Sequence, residues 1–269
     1  VTDLIDPSAA AAVLDASQVA FATMLGTLPG ATRHGDNGLW WVDTGVPDSA
    51  FNGVYMAPDS GDDDEYAAGV AEVVTYFRRR GLPFRWQVGL RPEPVDAREI
   101  LLGNGLRHVE DEPGMWLALG SVGPAPVCLP GLEIRPVRDQ ETLREWMRVW
   151  GSPAPSEVEE CWYELYRQLP YGPDGDLRMF LGYLDGTPVA TCCVFRAGSV
   201  AALHHVVTDP NYRRRGIGAA MTDAAIRHAR HAGCRIAVLT SSPQGVDIYR
   251  GLGFGECCLV GTYEWHPRG

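Results

Sequence analysis

The segment Val206-Val207-Thr208-Asp209-Pro210-Asn211-Tyr212-Arg213-Arg214-Arg215-Gly216-Ile217-Gly218-Ala219 carries the residue types best suited to chemistry in this chain. An apolar strand runs into a turn, and the turn opens a helix with Ile217, Met221 and Ala224 on one face. Gly216 and Gly218 remove side chains where the helix begins. Successive backbone N–H groups can then reach an anion that the helix dipole also favours. Arg213, Arg214 and Arg215 add positive charge and bidentate donors for phosphate. No Gly-Lys-Ser/Thr is present, which excludes a Walker loop, and the third glycine of a dinucleotide fingerprint is missing.

Other reactive side chains have plainer readings. His204 and His205 lie on the strand leading into the loop. Strand alternation places them on opposite faces, so at most one looks into a cleft. The seven cysteines include no C-x-x-C pair, and the expectation is reduced, buried thiols without a metal site. Asp62-Asp63-Asp64-Glu65 reads as a solvated run at the start of a helix, and Arg78-Arg79-Arg80 as its cationic last turn.

The elements that position these residues come from a chain of 269 residues with 23 arginines, no lysine, 34 acidic residues and a net charge of -11. That acidity argues against general nucleic-acid binding. No apolar run approaches the ~18 residues of a membrane span, and the N-terminus lacks a cationic leader start. The expectation is a cytoplasmic protein with no nucleic-acid and no membrane partner; the oligomeric state is left open. A Pro- and Gly-rich, uncharged stretch over 120–131 reads as a linker, dividing the chain into 1–125 and 126–269. The first part holds 8 Arg and 18 acids, and the second 15 Arg and 16 acids, so an anionic ligand prefers the second.

In the first part, apolar periodicity predicts helices over 13–28, 66–80 and 96–102. Strands are predicted over 39–42, 51–56, 84–88 and 115–119. In the second part it predicts strands over 133–137, 179–184, 189–195, 200–207, 235–239 and 257–263. Two aromatic-rich helices lie over 140–169, followed by helices over 216–231 and 244–250. Gly81 and Gly233 both close the long helix, and Gly105-Leu106 matches Gly253-Phe254. The two parts therefore read as a diverged internal repeat.

Arg213-x-x-Gly216-x-Gly218, followed by Tyr249-Arg250-Gly251-Leu252-Gly253-Phe254, resembles the pyrophosphate loop and the Y-x-x-x-G-F segment of the GCN5-related N-acetyltransferases (GNAT). The resemblance covers residues 131–269. It implies acetyl-CoA as the cofactor, with the backbone of Val206, Val207 and Thr208 meeting the acyl and pantetheine groups. Arg213, Arg214, Arg215, Gly216, Ile217, Gly218 and Ala219 would hold the pyrophosphate. Tyr249 matches the tyrosine that protonates the departing thiolate. Ser242 stands where many members have Asn, and a cofactor contact there is the expectation. His204 aligns with histidines that relay the amine proton in arylalkylamine-type members, a task that suits imidazole. Ala202 stands where other members have a glutamate.

The implied fold is α/β, two tandem acyltransferase folds, each a mixed, mostly antiparallel sheet flanked by helices. The first is degenerate, because Asp62, Asp63 and Asp64 replace the cationic turn and Leu101 stands opposite Tyr249. The expected activity is acetyl transfer to an amine of a small molecule by direct attack, with Trp146, Trp150, Trp162 and Tyr166 near the acceptor. A non-catalytic acyl-CoA-binding module and a protein acetyltransferase remain the alternatives.

Overall fold

A computed structural model of the chain describes residues 6–36, 38–56, 63–120, 127–151, 155–172 and 175–267. The first part runs α1 (Pro7–Leu25), β1 (Thr32–Asp36), β2 (Leu39–Asp43), β3 (Gly53–Met56), α2 (Asp63–Arg80), β4 (Phe84–Val88), α3 (Ala97–Gly103) and β5 (Arg107–Ala118). The second runs β6 (Leu132–Pro136), α4 (Gln140–Trp150), α5 (Ser156–Tyr166), β7 (Leu177–Leu184), β8 (Thr187–Ala197), β9 (Val200–Thr208), α6 (Ile217–His231), β10 (Ile236–Thr240), α7 (Val246–Gly251) and β11 (Gly255–Trp265).

All eleven strands form one sheet in the order β1-β2-β3-β4-β11-β5-β10-β9-β8-β7-β6. It is antiparallel except at β3·β4 and β9·β10. The fold class is therefore the expected one: a mixed α/β protein with a large, mostly antiparallel sheet flanked by helices. The two parts do not keep separate sheets, however. β5 sits between β10 and β11, and β11 sits between β5 and β4. Each part surrenders its last strand to the other, which removes two exposed sheet edges. The division proposed at residue 125 falls within 121–126, outside the described residues, as does Asp62.

This exchange explains why β5 is far longer than the predicted 115–119. Arg107–Glu112 has no apolar alternation, and its outer end is exposed. It is extended because its backbone pairs with β11 from Glu264↔Arg107 to Val260↔Glu112, a case of tertiary pairing overriding propensity. The edge strand β1, Thr-Arg-His-Gly-Asp, carried no signal for the same reason.

One sheet face carries α2, α3, α6 and α7. Tyr66, Val70, Val73, Val74 and Phe77 of α2 are buried over Phe84 and Trp86, and Gly81 closes the helix at φ +66°. α1, α4 and α5 cover the other face. α1 begins six residues earlier than predicted, where the Asp6 carboxylate caps the Ser8 N–H at 3.1 Å and Pro7 takes the first turn. Its 19 residues are long and apolar enough to cross a bilayer by length and composition, which the shorter prediction missed. Here Ala10, Leu14, Ala22 and Leu25 are buried, and Phe21 meets Phe195 edge-on at 5.3 Å. On this face the two parts also touch through side chains. Phe51 packs on Trp150 and Tyr166, and the Trp162 indole N–H donates to Asp48 Oδ2 at 2.9 Å.

Candidate active site

β9 and β10 pair in parallel only from Val200–Ala202 to Ile236–Val238, and then part. The cause lies on the other edge of β9. Thr191 faces Val207 and Cys193 faces His204, so His205 and Val206 together oppose Cys192. This is a β-bulge, with His205 at φ +54° and its carbonyl accepting from Thr191 Oγ1 at 2.8 Å. A bulge bends its strand and increases its twist. β9 therefore swings away from β10 and leaves a wedge. The wedge is bordered by Leu203–Thr208 on one side and by the chain after Thr240 on the other.

The wedge leads to the turn before α6. Asp209 Oδ1 accepts from the Asn211 N–H at 2.8 Å, closing a short 3-10 turn. Arg214 and Gly216 then take left-handed φ values of +60° and +80°. No side chain caps α6, and its first intrahelical bond here is Ala220 N–H to Gly216 O at 3.1 Å. The N–H groups of Ile217, Gly218 and Ala219 are the orphan donors of a helix start. A Cβ at Gly218 would lie 3.4 Å from the Ile248 side chain and 3.8 Å from Thr208 Oγ1, so the glycine keeps the approach open. Arg213, Arg214 and Arg215 are exposed. Arg213 Nε donates to the Thr208 carbonyl at 3.1 Å, and Arg215 lies over the Tyr212 ring at 5.3 Å. Among the described residues no carboxylate forms an ion pair with any of the three. Uncapped donors, a side-chain-free approach and unpaired cations fit a diphosphate such as that of coenzyme A.

Tyr249 projects from α7 into the packing of the α6 and α7 face, 8% exposed, with its ring 5.8 Å from Phe254. Burial, seconded by Cys192 and Glu112, pushes its phenol well above the ordinary range, so it keeps its proton at neutral pH. Ser242 is exposed just past β10, and its carbonyl accepts from the Gly245 N–H and from Ser241 Oγ.

The histidines depart from the alternation argument. Because of the bulge they do not face opposite sides; their ring centroids lie 5.9 Å apart on the α1, α4 and α5 face. His204 stacks on Phe21 at 4.7 Å, and its Nε2 is buried without a hydrogen-bond partner. Burial first, then Arg85, lowers its pKa to about 4. His205 is held by the Tyr166 hydroxyl at 2.6 Å and by the rings of Trp146 and Trp150, and burial keeps it neutral too. Trp146 and Tyr166 are fully buried, so they are core; Trp150 and Trp162 are partly exposed beside them.

Two residues that sequence reasoning missed stand near this face, both from the first part. Arg85 of β4 raises no flag in a strand whose Phe84, Trp86 and Val88 face the core; its Nε is buried without a partner, and its charge reaches both histidines. Glu112 lies in the charged end of β5 that no periodicity marks.

The fold has counterparts among known proteins. Residues 141–254 match the acetyltransferase (GNAT) family model. A stretch of 60 residues, 21% of this chain, is 38% identical to an uncharacterized N-acetyltransferase of Methanocaldococcus jannaschii and spans 26% of that protein. The chain thus covers about a quarter of the curated relative it matches. A GCN5-related N-acetyltransferase from Kribbella flavida superposes with a TM-score of 0.71 over 94% of this chain and 96% of that one, at 20% identity. A tandem GNAT protein from the clavulanic acid biosynthesis pathway gives 0.61 over 92% and 88%, at 14% identity. Residues 141–254 thus resemble the GNAT acetyltransferases in sequence, and at 20% and 14% identity the solved structures speak for the fold alone.

Proposed function

We propose that the chain is an acetyl-CoA-dependent N-acetyltransferase acting on an amine of a small molecule, with one working site, in the second part. The observation that carries this reading is the wedge between β9 and β10 ending at an uncapped, arginine-flanked helix start. It gives an acyl-CoA a backbone-lined slot for its arm and an anion seat for its diphosphate. Arg213 to Ala219 hold the diphosphate, Val206 to Thr208 line the arm, and Ser242 borders it. What the bound donor supplies is a thioester carbonyl. Tyr249 keeps a proton for the leaving sulfur, and His204 walls the acceptor side as a neutral ring. With its proton affinity lowered by burial, His204 is a weaker base than its position suggested. The first part is a diverged repeat that has lost its own site. The proposal includes a cytoplasmic location and neither nucleic acid nor membrane as partner, a reading that the net charge of -11 supports for nucleic acid.

Gly216→Asp tests the site. A residue at φ +80° without glycine is strained, and the added carboxylate opposes a diphosphate. Calorimetry on the folded variant is expected to show coenzyme A binding weakened more than tenfold. Unchanged affinity in a folded variant rules out the seat at α6.

A further inference from the structure

Attack by an amine requires that its ammonium first lose a proton, and neither histidine is suited to take it. Another titratable group stands on the strand that the first part lends to the second. Gly114 of β5 stands opposite Thr240, the last residue of β10, and Ser241 N–H bonds to Pro113 O at 3.0 Å. Glu112 therefore lies two residues beyond the end of β10, beside the chain that borders the wedge. Its face follows from the same register. A Cβ at Gly114 would lie 2.8 Å from Leu14 of α1, so Gly114 and, by alternation, Glu112 belong to the α1, α4 and α5 side. That is the side of His204 and His205. Its carboxylate lies near enough to the Thr240 hydroxyl to be influenced by it, and its charge is felt at Tyr249. Tyr249 itself belongs to the opposite, α6 and α7 side. A carboxylate and a phenol thus flank the mouth of the wedge from its two sides.

We propose that Glu112 is the general base of this site, so that the first part supplies the group that receives the acceptor's proton. The inference rests on the acyl-transfer reading above. Glu112 takes one proton from the ammonium and passes it to solvent. The freed nitrogen lone pair forms the amide C–N bond as the thioester C–S bond breaks. Tyr249 gives its proton to the sulfur and recovers one from the nitrogen's second hydrogen through solvent. One amide, one thiol and one released proton balance each turnover.

The electrostatic setting agrees. Burial first, then Glu110 on the same strand, raises the Glu112 pKa, while Arg85 from β4 and the Thr240 hydroxyl oppose the rise. A desolvated carboxylate binds protons more tightly than one in water and is the better base for it. The same burial makes ionised Glu112 a cost to folding. Its folded pKa lies above the unfolded one, so that cost appears as pH rises past the unfolded value of ~4.3 and is complete above the folded value.

The test uses Glu112→Gln and Glu112→Asp in the full chain. Acetyl-CoA is offered with spermidine, tyramine, glucosamine and lysine, and with water alone. Released coenzyme A is read by chromatography, since exposed Cys128 would react with thiol reagents. Glu112→Gln is expected to lower turnover by ~10²-fold, to flatten the acidic limb of the pH profile and to leave coenzyme A affinity within twofold. Its Tm at pH 7.5 should hold or rise, and Glu112→Asp should recover part of the rate. Turnover by Glu112→Gln within threefold of wild type overturns the assignment, and so does a lowered Tm, which marks a structural carboxylate. Wild-type protein that binds coenzyme A but turns over none of these acceptors overturns the assignment alone. Wild-type protein that does not bind coenzyme A overturns the acyl-transfer reading beneath it.

Discussion

The two parts of the chain each contain one parallel strand pair that opens after a few residues, and they fill the opening differently. β9 and β10 separate after Ala202 and Val238; β3 and β4 pair only at Gly53↔Arg85 and Val54↔Trp86. In the second part the opening meets backbone donors, glycine and three arginines. In the first, a hollow at the strand ends is lined by Tyr55, Met56, Trp86, Arg91 and Glu93, and the first turn of α2 carries Asp63, Asp64 and Glu65. Backbone topology makes a wedge in both places. Side-chain charge and bulk decide whether an anion can use it. The parts are also interdependent, since each completes its sheet with the other's last strand.

The largest effect is expected from breaking that dependence. A chain beginning at Val127 keeps β10 and β11 but lacks β4 and β5, so β11 loses both neighbours and β10 loses one. It should show no cooperative unfolding transition by circular dichroism and no coenzyme A binding by calorimetry. A fully active fragment would show that the exchange is dispensable.

Leu101 occupies the place on the short helix before Gly105, at φ +87°, that Tyr249 occupies before Gly253, at φ +95°. Tyr249→Phe should lose ~10²-fold in kcat with stability nearly intact. Leu101 is fully buried, so Leu101→Ala should cost about 2–5 kcal/mol in denaturant unfolding and spare coenzyme A affinity. Equal losses of activity in the two variants would contradict a division into working and supporting parts.

The smallest effect concerns the hollow of the first part. Glu93 accepts from the Gly89 N–H at 2.9 Å, and burial raises its carboxyl pKa to about 7. Its folded pKa exceeds the unfolded value of ~4.3, so wild-type stability falls as pH rises between the two. Glu93→Gln should therefore be more stable than wild type by ~1–2 kcal/mol at pH 8, with the gap closing below about pH 4. Chemical denaturation at the two pH values checks the sign. A gap that is independent of pH would remove Glu93 as a burdened carboxylate and weaken the contrast between the two wedges.

By itself the sequence determined the local pieces whose physics is local. Gly216, Gly218 and three arginines announce an anion seat, because a helix start and side-chain-free backbone need only neighbouring residues to form. The amphipathic spacing of α2 and α4 and the stop at Gly81 follow from helical period and backbone preference, and the strand 84–88 from alternation. Tertiary structure decided everything that depends on distant partners. The bulge at His205 arises from pairing with β8, and it turned two histidines assigned to opposite faces toward the same side. The extension of β5 through Arg107–Glu112 exists only because β11 lies beside it, so no periodicity could mark Glu112 as part of a strand. The exchange of last strands joins residues up to 181 positions apart, Phe84 with Trp265, by backbone pairing that carries no side-chain signature. Such pairing is set by the global sheet, which is why the surroundings of His204, His205 and Glu112 could be found only in three dimensions.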